Sequence, residues 1–297
     1  MSTELELKFA MPAQLLPQVV ALLPQLGQVQ QHDSSTLLNA YFDSTDNWFR
    51  RHDMGLRTRL KRGRYEQTIK LAGAQHGAMQ MRPEYNLPCS GVIPQLAAFP
   101  AQIWPPQTDV AALQQQLTEL FRTDFTRQSW QLSCADGSLI ELVYDEGHIL
   151  AGARSQPIAE LELELLQGDG RQLFALARQL LQHIALRTGW QSKAARGYRL
   201  LAQQPLSLPP DIPAGLSAQI NALQQTEACY HQQAEQAAPG LAVQLLSAIA
   251  DNLAGHPALQ QSAQQLSAKL AAGHDIFATP AYQLWLLTLS EYLYQQR

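Results

Sequence analysis

The sequence predicts an α+β chain in which eight strands form an antiparallel sheet or a closed barrel under a cover of helices, followed by an all-α C-terminal region. Three observations carry this. Period-two alternation of polar and apolar residues dominates up to about residue 200, the mark of strands with two unlike faces. Helical spacing rich in Ala, Gln and Leu dominates after residue 214. Between them, Pro205, Pro209, Pro210 and Pro213 fall within nine residues, removing backbone donors and biasing their neighbours to extended conformations.

The alternation places strands at 3–9, 36–43, 55–61, 64–71, 82–88, 122–132, 138–146 and 158–166. Gly63 suits a tight hairpin turn between the third and fourth, and Asp136-Gly137 suits another. Helices are expected at 11–25, around 45–51, at 108–117 and at 170–186. In the last of these, Leu173, Leu176, Leu180 and Ile184 form a one-sided stripe fit to cover a sheet. The tail reads as four helices near 214–236, 241–253, 257–272 and 279–295, with Gly240, Gly255 and Gly273 near the breaks. The expected organisation is a first domain over 1–204, a Pro-rich linker over 205–213 and a helical domain over 214–297. Nothing in the tail resembles a catalytic cluster, so packing or homo-oligomerisation is its expected role.

A hydrophobic share of 46% and a charged share of 15% describe a folded chain rather than a disordered one. No apolar run approaches the roughly 18–20 residues that cross a membrane, and the start MSTELELKFAM has carboxylates where a secretory signal carries basic residues. Cys89, Cys134 and Cys229 are far apart and lack CxxC spacing, so a cytoplasmic protein with structural thiols is expected. The net charge of −4 resides in the tail, because residues 1–200 hold 19 cationic and 19 acidic side chains. That balance gives no basic face for nucleic acid, and no membrane partner is expected.

Parity sorts the side chains of the first part onto two faces. Glu4, Glu6 and Lys8 oppose Leu5, Leu7 and Phe9; Arg57, Arg59 and Lys61 oppose Leu56, Thr58 and Leu60. Arg64, Glu66, Thr68 and Lys70 share a face, as do Arg82 with Glu84 and Glu141 with Asp145. Glu160, Glu162 and Glu164 oppose Leu161, Leu163 and Leu165. An alternating polar face is normally the solvated side of a half-buried sheet. Here three glutamates stand about 7 Å apart along one strand, a repulsive arrangement that hard divalent cations relieve. Cationic pairs recur at the same spacing on other strands. Carboxylates for metal beside guanidinium and ammonium groups for anions are what a metal–polyphosphate ligand requires. If the sheet closes, the charged residues point inward and the apolar ones outward. An empty charged lumen would be costly, so it should be wet, metal-loaded and open at one or both ends.

Glu4-Leu5-Glu6-Leu7-Lys8 resembles the ExExK signature of the triphosphate tunnel metalloenzymes, also called the CYTH superfamily. It is followed in order by Tyr41-Phe42-Asp43-Ser44, Leu56-Arg57-Thr58-Arg59, Thr68-Ile69-Lys70, Arg82-Pro83-Glu84, Asp145-Glu146-Gly147, Glu160-Leu161-Glu162-Leu163-Glu164 and Ser192-Lys193-Ala194-Ala195-Arg196-Gly197. The resemblance covers about residues 1–200. It implies a closed eight-stranded antiparallel tunnel barrel with a charged lumen, binding a triphosphate with Mg²⁺ or Mn²⁺. By that likeness Glu4, Glu6, Glu160, Glu162 and Glu164 hold metal, with Asp145 and Glu84 as further candidates. Lys8, Arg57, Arg59, Lys70, Arg82, Arg127 and Lys193 hold phosphate oxygens, and Arg196 reaches either a phosphate or a structural partner. Glu4, Glu6, Lys8 and Lys70 are the candidate catalytic set.

The implied activity is metal-dependent hydrolysis of inorganic triphosphate to pyrophosphate and phosphate, with related polyphosphate anions as possible ligands. Class IV adenylyl cyclase, hydrolysis of nucleoside or thiamine triphosphates, and non-catalytic polyphosphate binding are the alternatives. A cyclase tends to show an aromatic lead-in before ExExK, where this chain has only Met1-Ser2-Thr3. The tail departs from the longer, His-rich and basic helical domains of some two-domain relatives, since Lys269 and Arg297 are its only cations. No histidine falls in the inward-facing sets, so a His-based metal site is not expected.

Overall fold

A computed structural model describes residues 2–296. The strands are β1 (Ser2–Ala10), β2 (Gln28–Asp43), β3 (Gly55–Lys61), β4 (Arg64–Lys70), β5 (Ala74–His76), β6 (Met79–Cys89), β7 (Thr118–Ser133), β8 (Leu139–Ala151), β9 (Arg154–Gln167) and β10 (Arg187–Thr188). The sheet runs β10-β1-β9-β8-β7-β2-β3-β4-β6-β5, and β1 also pairs with β6. That last pairing closes β1-β9-β8-β7-β2-β3-β4-β6 into an eight-stranded antiparallel barrel, leaving β5 and β10 as short outriders. Each of the eight strands expected from the sequence becomes one barrel strand.

The barrel strands run longer than alternation suggested. The expected strand 36–43 is the second half of β2, whose first five residues, Gln28–His32, are exposed. With neither face covered there, no polar–apolar alternation exists to read. The β3–β4 hairpin turns on Arg62 and Gly63, both at positive φ (51° and 75°), the two-residue geometry that matches strand twist. Gly137, at φ 87°, turns the chain between β7 and β8.

The apolar face points outward, under helices. Leu7 and Phe9 of β1, Leu142 and Tyr144 of β8, and Leu161 and Leu163 of β9 pack against α1 (Leu16–Leu26) and α4 (Arg171–His183). In α4 the expected stripe is realised, with Leu173, Leu176 and Leu180 buried; Ile184, also buried, ends the helix in an extended conformation. On the other flank, Ala40, Phe42, Leu56 and Ile69 meet Phe49 of α2 (Trp48–Arg51) and Leu113 of α3 (Val110–Gln115). Each such side chain removed from water contributes about 1.5–3 kcal/mol, so the inverted pattern has its driving force outside the barrel.

One helix was not expected: α5 (Lys193–Ala202). Ser192 caps it, its Oγ accepting from Ala195 N at 3.1 Å. Gly197 interrupts its helical pattern, because a Cβ there would stand 2.1 Å from the Phe121 ring. After the Pro-rich stretch come α6 (Leu216–Gln233), α7 (Ala238–Asn252), α8 (Pro257–Ala271) and α9 (Pro280–Gln295). They share a core that includes Ile220, Leu223, Leu246, Ile249, Leu266, Phe277 and Leu286. Helix α9 also faces the barrel, where its Leu287 and Tyr294 join the cluster over β1 and α4. No helix among the described residues is long and apolar enough to cross a membrane.

Candidate functional site

Register decides which charges meet inside the barrel. β1 pairs with β9 so that Glu6 faces Glu164 and Lys8 faces Glu162, and β8 pairs with β9 so that Glu141 faces Glu164 and Asp145 faces Glu160. Three carboxylates, Glu6, Glu164 and Glu141, therefore form one row across neighbouring strands. Opposed like charges cost free energy in a sheet. One step along, Lys8 and Glu162 alternate sign. Across the lumen, β3 contributes Arg57 and Arg59, β4 contributes Glu66, Thr68 and Lys70, and β6 contributes Arg82 and Glu84.

These side chains line a cavity of about 210 Å³, with Tyr41, Gln80, Asn86, Arg127, Lys193 and Ser192 completing its wall. That is room for roughly seven waters. Of the candidates proposed from the sequence, Glu4, Glu6, Lys8, Arg57, Arg59, Lys70, Arg82, Glu84, Arg127, Glu162, Glu164 and Lys193 line it. Asp145, Glu160 and Arg196 stand behind that wall.

Two electrostatic zones result. In the first, charges are matched. Arg127 donates to both oxygens of the fully buried Asp145 at 2.7 and 2.8 Å and to Glu162 Oε2 at 3.0 Å. Lys193 Nζ lies 2.7 Å from Asp145 Oδ2 and 3.0 Å from Glu162 Oε1, and also pairs with Glu160. Lys8 Nζ is 3.4 Å from Glu162 Oε1. Burial alone would raise the Glu162 pKa, but Lys193, Lys8 and Arg127 hold it well below the usual carboxylate range. Lys8 and Lys193 are held above theirs: burial opposes their charge, and the carboxylates outweigh it. Arg196 pairs with Glu160 at 3.2 Å and donates to the Pro157 carbonyl, so its partners in this structure are structural.

In the second zone, charge is less evenly matched. Glu164 is pushed up to about 8 by burial and then by Glu4, with Glu6 and Glu84 adding to it against Lys70. Glu6 is raised chiefly by burial, with Lys8 and Lys70 opposing and Glu162 and Glu4 adding to the rise. Opposite them, burial and then Arg57 and Arg127 press Arg59 below its ordinary range. Its Nε donates to Asn39 Oδ1 at 2.7 Å, but no carboxylate pairs with it among the described residues. The buried Arg57 Nε has no hydrogen-bond partner among the described residues, although burial of that guanidinium is offset by Tyr41, Glu84 and Glu4, which hold its pKa above the ordinary value. Glu164, with no cation paired to it among the described residues, and Arg59, with no carboxylate paired to it, suit a hard cation and a polyanion held side by side.

Lys70 is shared between Glu4 and Glu84, at 3.6 Å from the latter. Arg82 is tethered by its Nε to Leu71 O and by its Nη2 to Asp53 O, both at 2.8 Å, leaving it at the rim of the cavity. Asp43, from the Tyr41-Phe42-Asp43-Ser44 motif, is structural: it accepts from Ser44 N and Phe49 N at the start of α2 and from Tyr198 OH of α5.

A divalent cation fits the donor set. Asp145, Glu160 and Glu162 each bring a carboxylate oxygen within 4.8 Å of the others, and all three are buried. Those oxygens already serve Lys193, Arg127 and Arg196. The Glu6 and Glu164 side chains, less compensated, are the ones a cation would relieve, with Glu4 beside them on Lys70. Sequence reasoning put Glu66, Thr68 and Glu141 on the inward faces, and Tyr41 and Ser192 within motifs, without assigning them to the site, and it missed Gln80 and Asn86. For Glu141 the signal was present in its parity with Asp145; neutral Gln80 and Asn86 gave none.

The CYTH domain family model matches residues 2–198. A protein of Haemophilus influenzae named inorganic triphosphatase is 34% identical over 215 residues, covering 70% of this chain. The alignment spans only 57% of that relative's own length. Among solved structures, a candidate adenylyl cyclase from Hippeastrum with a dominant triphosphatase activity matches at 14% identity and a TM-score of 0.48, over 70% of this chain and 98% of that one. A candidate adenylate cyclase from Bacillus halodurans matches at 20% identity and a TM-score of 0.37, over 61% of this chain and 90% of that one.

Proposed function

The chain belongs to the CYTH family, and on that premise we propose that its tunnel hydrolyses inorganic triphosphate to pyrophosphate and phosphate with Mg²⁺ or Mn²⁺ bound. The observation that carries this is that one lumen holds Glu164, without a paired cation among the described residues, and Arg59, without a paired carboxylate, which a metal-bearing polyanion would neutralise from both sides. The relative named inorganic triphosphatase points to the same substrate.

In this reading Arg57, Arg59, Lys8, Lys70, Arg127 and Lys193 bind phosphoryl oxygens, with Arg82 at the rim and Arg196 acting indirectly by holding Glu160. Glu4, Glu6 and Glu164 would hold a cation, with Glu84 beside them and the Asp145–Glu160–Glu162 cluster as the second carboxylate group available. A bound divalent cation supplies Lewis-acid neutralisation of the phosphate charge. The protein's own part is positional and electrostatic: fixed cations in a narrow lumen stretch the chain of phosphates and favour charge moving onto the leaving pyrophosphate. Glu4, Glu6, Lys8 and Lys70 surround the attacked phosphoryl group; a water adds to the terminal phosphorus, the P–O bond to pyrophosphate breaks, and the water's proton passes to a neighbouring group or to solvent. Division into a tunnel domain at 1–204, a linker at 205–213 and a helical domain at 214–297, and a cytoplasmic location, belong to the same proposal.

The test is phosphate release from inorganic triphosphate, ATP and thiamine triphosphate, each with Mg²⁺, Mn²⁺ or EDTA, for wild type and Glu6→Ala. Fast release from triphosphate, abolished by EDTA and by the substitution, is expected. Tight binding of triphosphate without hydrolysis of any substrate would make the tunnel a binding module.

A further inference from the structure

The C-terminal helices reach the tunnel at a place that the hydrolytic reading leaves without a role. β1, which carries Glu4, Glu6 and Lys8, has β10 against its end and β6 along its length. Helix α9 holds both neighbours. Gln283 is 1% exposed, and its Oε1 accepts from Thr188 N and Thr188 Oγ1 at 2.9 Å each. Seven residues on, two turns along the same helix face, the buried Ser290 accepts at its Oγ from Ala78 N at 2.8 Å, just ahead of β6. Leu287 lies between them on that face, in the core over the barrel.

Thr188 stands opposite Phe9, and the next residue, Gly189, donates its N–H to Lys8 O at 2.8 Å. A Cβ on Gly189 would sit 2.8 Å from Lys8 Cγ and 3.1 Å from its Cδ, so this backbone lies directly against the Lys8 stem. On its other side Gln283 has no freedom to turn over. Its Nε2 donates to Phe277 O at 2.7 Å and to Glu227 Oε1 at 3.1 Å, while Tyr282 OH donates to Glu227 Oε2 at 3.0 Å. With both amide protons so engaged, only the carbonyl oxygen can face Thr188. A bundle this apolar would hold together without a buried amide and carboxylate, which cost free energy even when hydrogen-bonded. What the network adds is a fixed orientation.

We infer that α6 and α9 brace the ExExK strand: Gln283, oriented by Glu227 and the Phe277 carbonyl, is a positioning residue that holds Thr188–Gly189 against Lys8 and sets where the Lys8 ammonium meets the substrate anion. The inference rests on the tunnel being a triphosphate site.

Its test is calorimetric binding of inorganic triphosphate in EDTA, where nothing turns over, by the full chain as wild type, Gln283→Leu, Lys8→Ala and the double variant. Gln283→Leu is expected to weaken binding about tenfold when Lys8 is present and not at all in the Lys8→Ala background. Thr188→Val, on a half-buried edge strand, takes the place of Gln283→Leu in the same cycle should the latter not fold. Equal weakening in both backgrounds would make Gln283 a merely structural residue and overturn the inference, as would unchanged binding by both variants. Wild type that binds no triphosphate in EDTA would overturn the inference, since Lys8 would then not hold the bare anion; the functional reading falls only if phosphate release with Mg²⁺ or Mn²⁺ is absent as well.

Discussion

Lys193 Nζ stands 2.7 Å from Asp145 Oδ2, joining the first turn of α5 to the middle of β8 behind the tunnel wall. Asp145 is fully buried and takes both arms of Arg127 as well. Burial works against its charge, yet Arg127 and Lys193 hold its pKa below the ordinary value. Its stabilising effect is therefore present above the unfolded pKa and is lost as pH falls through the lowered one. Asp145→Ala takes from Arg127 and Lys193 one of their carboxylate partners, leaving Glu162 to both, and is expected to cost up to about 3–5 kcal/mol in urea unfolding. Added triphosphate should recover part of that loss. A variant as stable as wild type would show that the pair contributes nothing.

Glu164 leads to a second expectation. Its pKa of about 8 means that it holds a proton through the neutral range, whereas a cation needs the carboxylate. Metal affinity should rise by up to about tenfold per pH unit between roughly pH 6 and 8 and level off above. Calorimetry in buffers of different ionisation enthalpy should count the proton released. Glu164→Gln should flatten the profile; an unchanged profile in that variant would place the titrating group elsewhere.

Most of the barrel was legible because its alternation is strict. Glu160-Leu161-Glu162-Leu163-Glu164 needs two unlike faces, and α4 supplies the apolar cover for one of them. What sequence could not give was register. That Glu6, Glu164 and Glu141 share a row while Lys8 meets Glu162 is set by pairing across three strands, which no single segment encodes. The same holds for the pairing of Asp145 with Lys193 and of Arg196 with Glu160, which joins α5 to strands well before it in the chain. Helix α5 escaped because Gly197 lowers its local helix preference for a packing reason visible only beside Phe121. Gln283 and Glu227 look like ordinary polar positions on helices until α9 is laid against β10.

Glu227 carries a pH expectation of its own. Burial pushes its pKa up to about 7, against the hydrogen bonds from Tyr282 and Gln283. Folded Glu227 thus binds its proton more tightly than the unfolded chain does. Its contribution is fully present below the unfolded value of 4.5 and is lost as pH rises through about 7. The loss is on the order of 3 kcal/mol. Glu227→Gln, which keeps the shape without the charge, should make unfolding free energy less dependent on pH between 5 and 8, approximately the window of that titration. Parallel pH profiles for wild type and variant would remove Glu227 as the cause.

Arg59 gives the last expectation, a trade between stability and binding. Burial, Arg57 and Arg127 all disfavour its charge, and Asn39 is a neutral partner. An arginine keeps its proton at neutral pH, so the unfavourable field remains as a cost to the folded protein. An anion in the lumen would relieve it. Arg59→Leu should therefore raise the stability of the ligand-free protein by about 1–3 kcal/mol, on the scale seen when buried ionic groups are replaced by apolar ones. The same change should weaken triphosphate binding by about 1.5–3 kcal/mol, the worth of a hydrogen bond to a charged group. Calorimetric melting with and without triphosphate reads both effects: the variant should melt higher alone and gain less from the ligand. A variant that melts lower alone and gains as much as wild type would mean that Arg59 serves the fold and not the anion.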